Sequence, residues 1–122
     1  MGETDLKVLL RTMEPVLHPG PYGFGVWDGP LPEGTFATVA ETEGLTVVAP
    51  LAALGGGEPW ARISLTVHSD LAAVGLTAAL ATALAAEGIS CNVIAGVHHD
   101  HLLVPWDRRD DAMATLRRLS DA

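Results

Sequence analysis

Cysteine is almost absent from this 122-residue chain: Cys91 stands alone, so no intrachain disulfide and no thiolate metal site can form. That composition suits a reducing compartment. Basic residues are also scarce, and seven Lys and Arg against fifteen Asp and Glu leave a net charge of −8, which offers no footprint for nucleic acid. Only 18% of the residues are charged while 48% are hydrophobic, which excludes a disordered chain and supplies a core. The longest uncharged run, the sixteen residues from Leu71 to Ala86, is rich in alanine and falls short of the roughly 20 apolar residues that a bilayer span requires. The amino terminus, Met1 to Leu6, has neither a basic start nor an apolar run, so nothing in it directs export or lipidation. A soluble, cytoplasmic protein with no membrane partner is expected. Glycine-rich signatures are missing too, since no GxGxxG opens a helix and no Gly-Lys-Ser/Thr follows a glycine loop.

What the chain does contain is regular patterning. Leu6, Leu9, Leu10 and Met13 recur at helical spacing behind Thr4 and Asp5, either of which can cap the first turn. After the break at His18-Pro19-Gly20-Pro21, alternation from Tyr22 to Trp27 predicts a strand, and Asp28 to Gly34 a loop. Phe36 to Glu41 and Leu45 to Ala49 predict a hairpin around Glu43-Gly44, with one helical turn at Pro50 to Leu54. Gly55-Gly56-Gly57-Glu58-Pro59 then separates two halves, residues 1–58 and 59–122. Beyond it, Ile63, Leu65 and Val67 share one face of a strand and Arg62, Ser64, Thr66 and His68 the other. A helix is expected from Asp70 to Glu87 with Ser69 as its cap and Gly88 past its end. Strands follow at Ile89 to Val97 and His101 to Trp106, and a last helix, capped by Asp107, carries the stripe Ala112, Met113, Leu116 and Leu119.

The second half therefore reads β-α-β-β-α, the split βαβ of ferredoxin-like folds without its final strand. An open edge beside an apolar face is a hazard, so either a strand from residues 14 to 49 or a second protomer fills the vacancy, and the internal solution is favoured. The alanine-rich helix has almost no polar stripe, which asks for cover on more than one side.

Leu65-Thr66-Val67-His68-Ser69-Asp70-Leu71, Gly88-Ile89-Ser90-Cys91-Asn92-Val93 and His99-Asp100-His101-Leu102-Leu103-Val104-Pro105 resemble a family of small bacterial ACT-domain proteins. Met13-Glu14-Pro15-Val16-Leu17 and Glu43-Gly44-Leu45-Thr46-Val47-Val48 extend the likeness to the first half. The resemblance implies an α+β, ACT-like (ferredoxin-like) fold of βαββαβ units, with an antiparallel sheet, helices on one face, two tandem halves and strand sharing, similar to the regulatory region of aspartate kinases. It implies no reaction, because ACT modules generally sense amino acids. It points to His68, Ser69, Asp70 and Gly75 on the strand-to-helix turn and first helix, and to Asn92 on the following strand, as ligand-binding residues. Free N–H groups at a helix start suit a carboxylate, and Gly75 would admit another backbone. Against that, Ser69 and Asp70 can simply cap a helix, and Asn92 can satisfy a backbone group.

Two further features compete for a role. His99 and His101 can share a face, and imidazoles with Asp100 are metal-ligand chemistry, yet a polar hairpin whose histidines hydrogen-bond locally explains them with fewer assumptions. His68-Ser69-Asp70 has the residues of a hydrolase triad in the wrong geometry, since adjacent side chains diverge. Cys91 has no basic neighbour in sequence and reads as a small apolar residue, and Trp27, Trp60 and Trp106 as packing anchors. The expected protein is a regulatory, non-enzymatic module that binds an amino-acid-type ligand, takes no cofactor and forms a homo-oligomer, a dimer in the simplest case. The alternatives are a metal-dependent protein using the His98–His101 turn and a pure oligomerisation domain.

Overall fold

The computed structural model describes residues 4–67 and 70–121, which fall into two compact units, Met1–His18 with Ala61–Ala122, and Pro19–Trp60. In the first unit, α1 (Leu6–Thr12) starts where Asp5 accepts hydrogen bonds from the backbone of Lys7 and Val8 at 2.9 and 3.3 Å. The chain then turns through Glu14, whose φ of +38° is unusual for a residue with a side chain, and enters β1 (Pro15–Leu17). This short strand pairs antiparallel with β5 (Trp60–Leu65), setting Pro15 opposite Leu65, Val16 opposite Ser64 and Leu17 opposite Ile63. The pairing runs on to His18, whose N–H donates to the Arg62 carbonyl at 2.9 Å.

On its other side β5 lies beside β7 (Asp100–Pro105), which pairs antiparallel with β6 (Asn92–Ala95), giving the order β1-β5-β7-β6. That is the ferredoxin-like arrangement with its last position occupied by Pro15–Leu17, so the vacancy is filled from within the chain. One sheet face is apolar and carries α1, α3 (Leu76–Ala86) and α4 (Arg109–Asp121). Ile63, Leu65, Leu102 and Val104 from the strands meet Leu9, Met13, Leu80, Leu84 and Leu116 from the first unit's helical layer, all fully buried. Burying each such side chain is worth about 1.5–3 kcal/mol.

Several expected boundaries move, each for a local reason. The long helix begins at Leu76, because Gly75 holds a left-handed φ of +99° that no helix interior accepts. Ahead of it the chain makes a turn, in which the Asp70 carbonyl accepts from Ala73 N at 2.9 Å and its carboxylate from Ala72 N at 2.8 Å. Asp70 thus caps this turn and not α3, while Leu71 and Val74 remain exposed. Among the described residues, α3 is covered on one side: Leu76, Leu80 and Leu84 are buried, whereas Ala78, Ala81 and Ala85 are exposed. Alanine's helix propensity sustains such a face without burial.

Gly88 ends α3 as expected, donating to the Ala85 carbonyl at 2.9 Å while Ile89 donates to Leu84 at 3.0 Å, a Schellman motif that docks Ile89 in the core. Ile89 is consumed there, which confines β6 to Asn92–Ala95. Trp106–Arg108 form a 3₁₀ turn in place of an Asp107 cap, and Arg109 stacks over the Trp106 ring at 4.0 Å.

In the second unit, β2 (Tyr22–Trp27), β3 (Ala37–Glu41) and β4 (Gly44–Pro50) form an antiparallel sheet with β4 in the middle. Phe24 stands opposite Val48, and Val39 opposite Thr46. The helical turn α2 (Leu51–Leu54) packs over β2, where a Cβ on Gly23 would come within 2.8 Å of Leu51 Cδ1. Phe24 meets Trp60 edge-to-face at 5.6 Å, an anchoring contact of the kind expected for that tryptophan.

Candidate functional site

Where the turn before α3 meets the end of the β6–β7 hairpin, Asp70, Leu71, Ala73, Gly75, Leu76, Thr77, Ala95 and Asp100 enclose a cavity of about 120 Å³. At the commonly used ~30 Å³ per water, that is room for about four waters or a few heavy atoms of a ligand. Its polar side chains are two carboxylates and the Thr77 hydroxyl. Asp70 is held on the turn by its bond to Ala72, and Asp100 is buried to 9% exposure at the start of β7. Across from them lies the first turn of α3, whose leading N–H groups have no acceptor four residues back in the helix. The cavity can therefore offer acceptors to a cationic group and donors to an anionic one.

The structure brings two of the sequence-identified residues, Asp70 and Gly75, to this cavity. His68 and Ser69 lie outside the described residues. Asn92 stands at the opposite end of β6 from Ala95, exposed and in register with Leu103. Gly75 is glycine for two reasons: its φ, and the Leu6 side chain, whose Cδ2 would lie 3.1 Å from an added Cβ. The close neighbour is thus an apolar side chain of α1, where the sequence suggested a second backbone. Asp100, buried in the cavity wall, drew attention in the sequence only as part of the His98–His101 turn, and its place beside Asp70 becomes visible only once the hairpin is folded.

His99 and His101 turn to different partners. His99 Nδ1 lies 3.2 Å from the Val67 carbonyl, whereas His101 Nδ1 lies 2.7 Å from Ser64 Oγ. Among the described residues no group of three or more His, Cys, Asp or Glu is placed to hold a metal. Burial pushes the Cys91 thiol up to about 11, which suppresses its thiolate at neutral pH.

Two other depressions lack the chemistry to recognise a zwitterion. An open one of about 460 Å³ in the second unit is lined by Pro19, Pro21, Tyr22, Pro50 and Leu51 without a charged group. Another of about 400 Å³ beside α4 holds charges already paired, Arg108 with Asp111 at 3.0 Å and Arg118 with Glu87 at 3.3 Å. No described helix is long and apolar enough to cross a membrane.

Family models of the ACT domain match residues 1–53 and, separately, 57–118. Among solved structures, a Vibrio cholerae protein of unknown function, described as a possible transport protein, shares 42% identity over 91% of this chain and 92% of its own, with a TM-score of 0.78. An Agrobacterium tumefaciens protein aligns at 18% identity over 83% of this chain and 84% of its own, TM-score 0.67. The ligand-free regulatory subunit of aspartate kinase from Thermus thermophilus aligns at 12% identity over 89% and 97%, TM-score 0.64. No curated protein matches.

Proposed function

The chain belongs to the ACT-domain family, and from that membership we propose that it is a regulatory module whose ligand is a small amino acid seated against α3. The observation that carries the reading is the pairing of two carboxylates, Asp70 and Asp100, with the opening turn of an eleven-residue helix around one small cavity. The carboxylates take the ligand's ammonium group. The helix N–H groups and the Thr77 hydroxyl take its carboxylate, aided by the positive end of the helix dipole. His68 and Ser69 are further ligand-binding residues in this proposal, and a small side chain is selected by the roughly 120 Å³ available. Asn92 serves a contact from a neighbouring module or subunit.

The module acts without catalysis of its own, in the cytoplasm, as a homo-oligomer. Occupancy shifts the balance between two arrangements of its interface, which requires different affinity for each. The test is a melting-temperature screen against the twenty amino acids. A ligand at a hundredfold excess over Kd stabilises by about 2.7 kcal/mol, so one or a few small amino acids raise the midpoint by several degrees. Asp100→Asn and Asp70→Asn abolish that rise. No shift with any of the twenty, or an unchanged shift in both variants, overturns the proposal.

A further inference from the structure

On the sheet face turned away from the helices, the register of β1 against β5 gathers a polar cluster that the ACT reading does not use. His18 stands across from Arg62, and Val16 across from Ser64. From the neighbouring strand His101 reaches the same serine, so that Ser64 Oγ lies 2.7 Å from His18 Nε2 and 2.7 Å from His101 Nδ1. All four polar side chains are half-buried.

We propose that Arg62, His18, Ser64 and His101 form a binding site for an oxyanion, a carboxylate or a phosphate-type group, taken up together with protons. The argument is a count of hydrogens. A serine hydroxyl has one proton to donate and two lone pairs. With both imidazoles neutral, the bridge closes when one imidazole donates to Oγ and the hydroxyl donates to the other, so the hydroxyl proton is spent inside the cluster. When both imidazoles are protonated, both nitrogens donate to Oγ, its lone pairs are filled, and its O–H turns outward. The face then presents a hydroxyl donor, two imidazolium rings and a guanidinium, with an arginine fork suited to planar or tetrahedral oxygen groups.

Without an anion that state is disfavoured. Burial and the Arg62 charge hold the His18 ring below its ordinary value of 6.5. Burial, Arg62, His18 and His99 lower His101, and only Asp100, its neighbour on β7, acts in the opposite sense. His98 stands one residue further along the same turn. Arg62 and two imidazoles that can each take up a proton make this a face able to turn strongly positive in a chain of net charge −8. An oxyanion seated on this face favours the protonated rings and draws the protons in with it.

The test follows the histidine ring signals by NMR while sodium sulfate or sodium formate is added at constant ionic strength, from pH 5.5 to 8. Saturable shifts at His18 and His101 are expected. Apparent affinity rises by up to tenfold per pH unit for each proton taken up as the pH falls. Stronger binding of sulfate assigns a phosphate-type ligand, and stronger binding of formate a carboxylate. Arg62→Gln weakens binding at least tenfold, and Ser64→Ala, which leaves every charge in place, weakens it and uncouples the two titrations. Shifts that grow linearly and match a sodium chloride control overturn the proposal. So does undiminished saturable binding in the folded Arg62→Gln or Ser64→Ala protein.

Discussion

Gly75 shows how much one residue can settle. A left-handed φ of +99° and a contact of 3.1 Å to Leu6 act on the same Cα, so Gly75→Ala meets both backbone strain and crowding from α1. The left-handed conformation alone costs an L-residue about 1–2 kcal/mol, and urea unfolding of Gly75→Ala should show a loss of at least that size. The histidines supply a second prediction. His18 and His101 bind protons less readily folded than unfolded, so the unfolded chain gains protons first as the pH drops. Their contribution to stability is complete above about pH 6.5 and is lost as the pH falls through their lowered folded values. The melting temperature should therefore decline from pH 7.5 to 5, and the double substitution His18→Gln, His101→Gln should flatten that decline. The family resemblance pointed to Asp70 and Gly75 on the turn and first helix, whereas periodicity alone reads Gly75 as helix interior, because a left-handed backbone leaves no period in the sequence. Ser64 was placed on an outward face by simple alternation. His18 and Asp100 were not legible as site residues, since their neighbours come from β5 and from the turn before α3, remote in sequence.

Among the elements, β1 is the least evident from sequence. Three residues beginning with proline carry no period, and the strand exists because Ile63, Ser64 and Leu65 offer it a ladder. Its entry is fixed by Thr66, whose N–H donates to the Met13 carbonyl at 2.8 Å and whose hydroxyl donates to the Glu14 carbonyl at 3.0 Å. Thr66→Val keeps the first bond and removes the second, and should cost about 1 kcal/mol in equilibrium unfolding, a typical value for one hydrogen bond. The α3 leucines make a stronger case. Leu84 is fully buried and receives the Schellman bond from Ile89, so Leu84→Ala should cost about 2–5 kcal/mol, whereas Ala81→Ser on the exposed face should change stability by less than about 1 kcal/mol. The hairpin of β3 and β4, the strand β2 and the helix α4 were legible because each has an unbroken period and a clear break beside it. The start of α3 was not: an uncharged run gives no boundary, and only the backbone sign at Gly75 marks where the helix begins.

At the scale of the molecule, the first compact unit is assembled from both ends of the chain, Met1–His18 and Ala61–Ala122. The order of elements after Gly55 to Gly57 announced a split βαβ short of one strand, and the sequence limited the source to residues 14 to 49 or a second chain. It favoured the internal source but did not single out Pro15–Leu17, because strand pairing is decided by which edge is nearest in space. A fragment comprising residues 59–122 lacks β1 and α1, leaving the β5 edge unpaired and Leu65 beside an uncovered face. It should show no cooperative melting transition and should aggregate, and adding a peptide of residues 4–18 should restore the transition.

The insertion of β1 into this sheet also orders events during synthesis. The opening segment leaves the ribosome first, yet the edge it must join is made only after the whole intervening unit has emerged. That unit can fold at once on local contacts, while α1 and β1 wait without a partner. Completion then depends on closing a long loop, a slow kind of step that holds apolar side chains in water meanwhile. A nascent chain halted before Leu65 would hold a finished insert and an idle leading strand, a species for chaperones to shield.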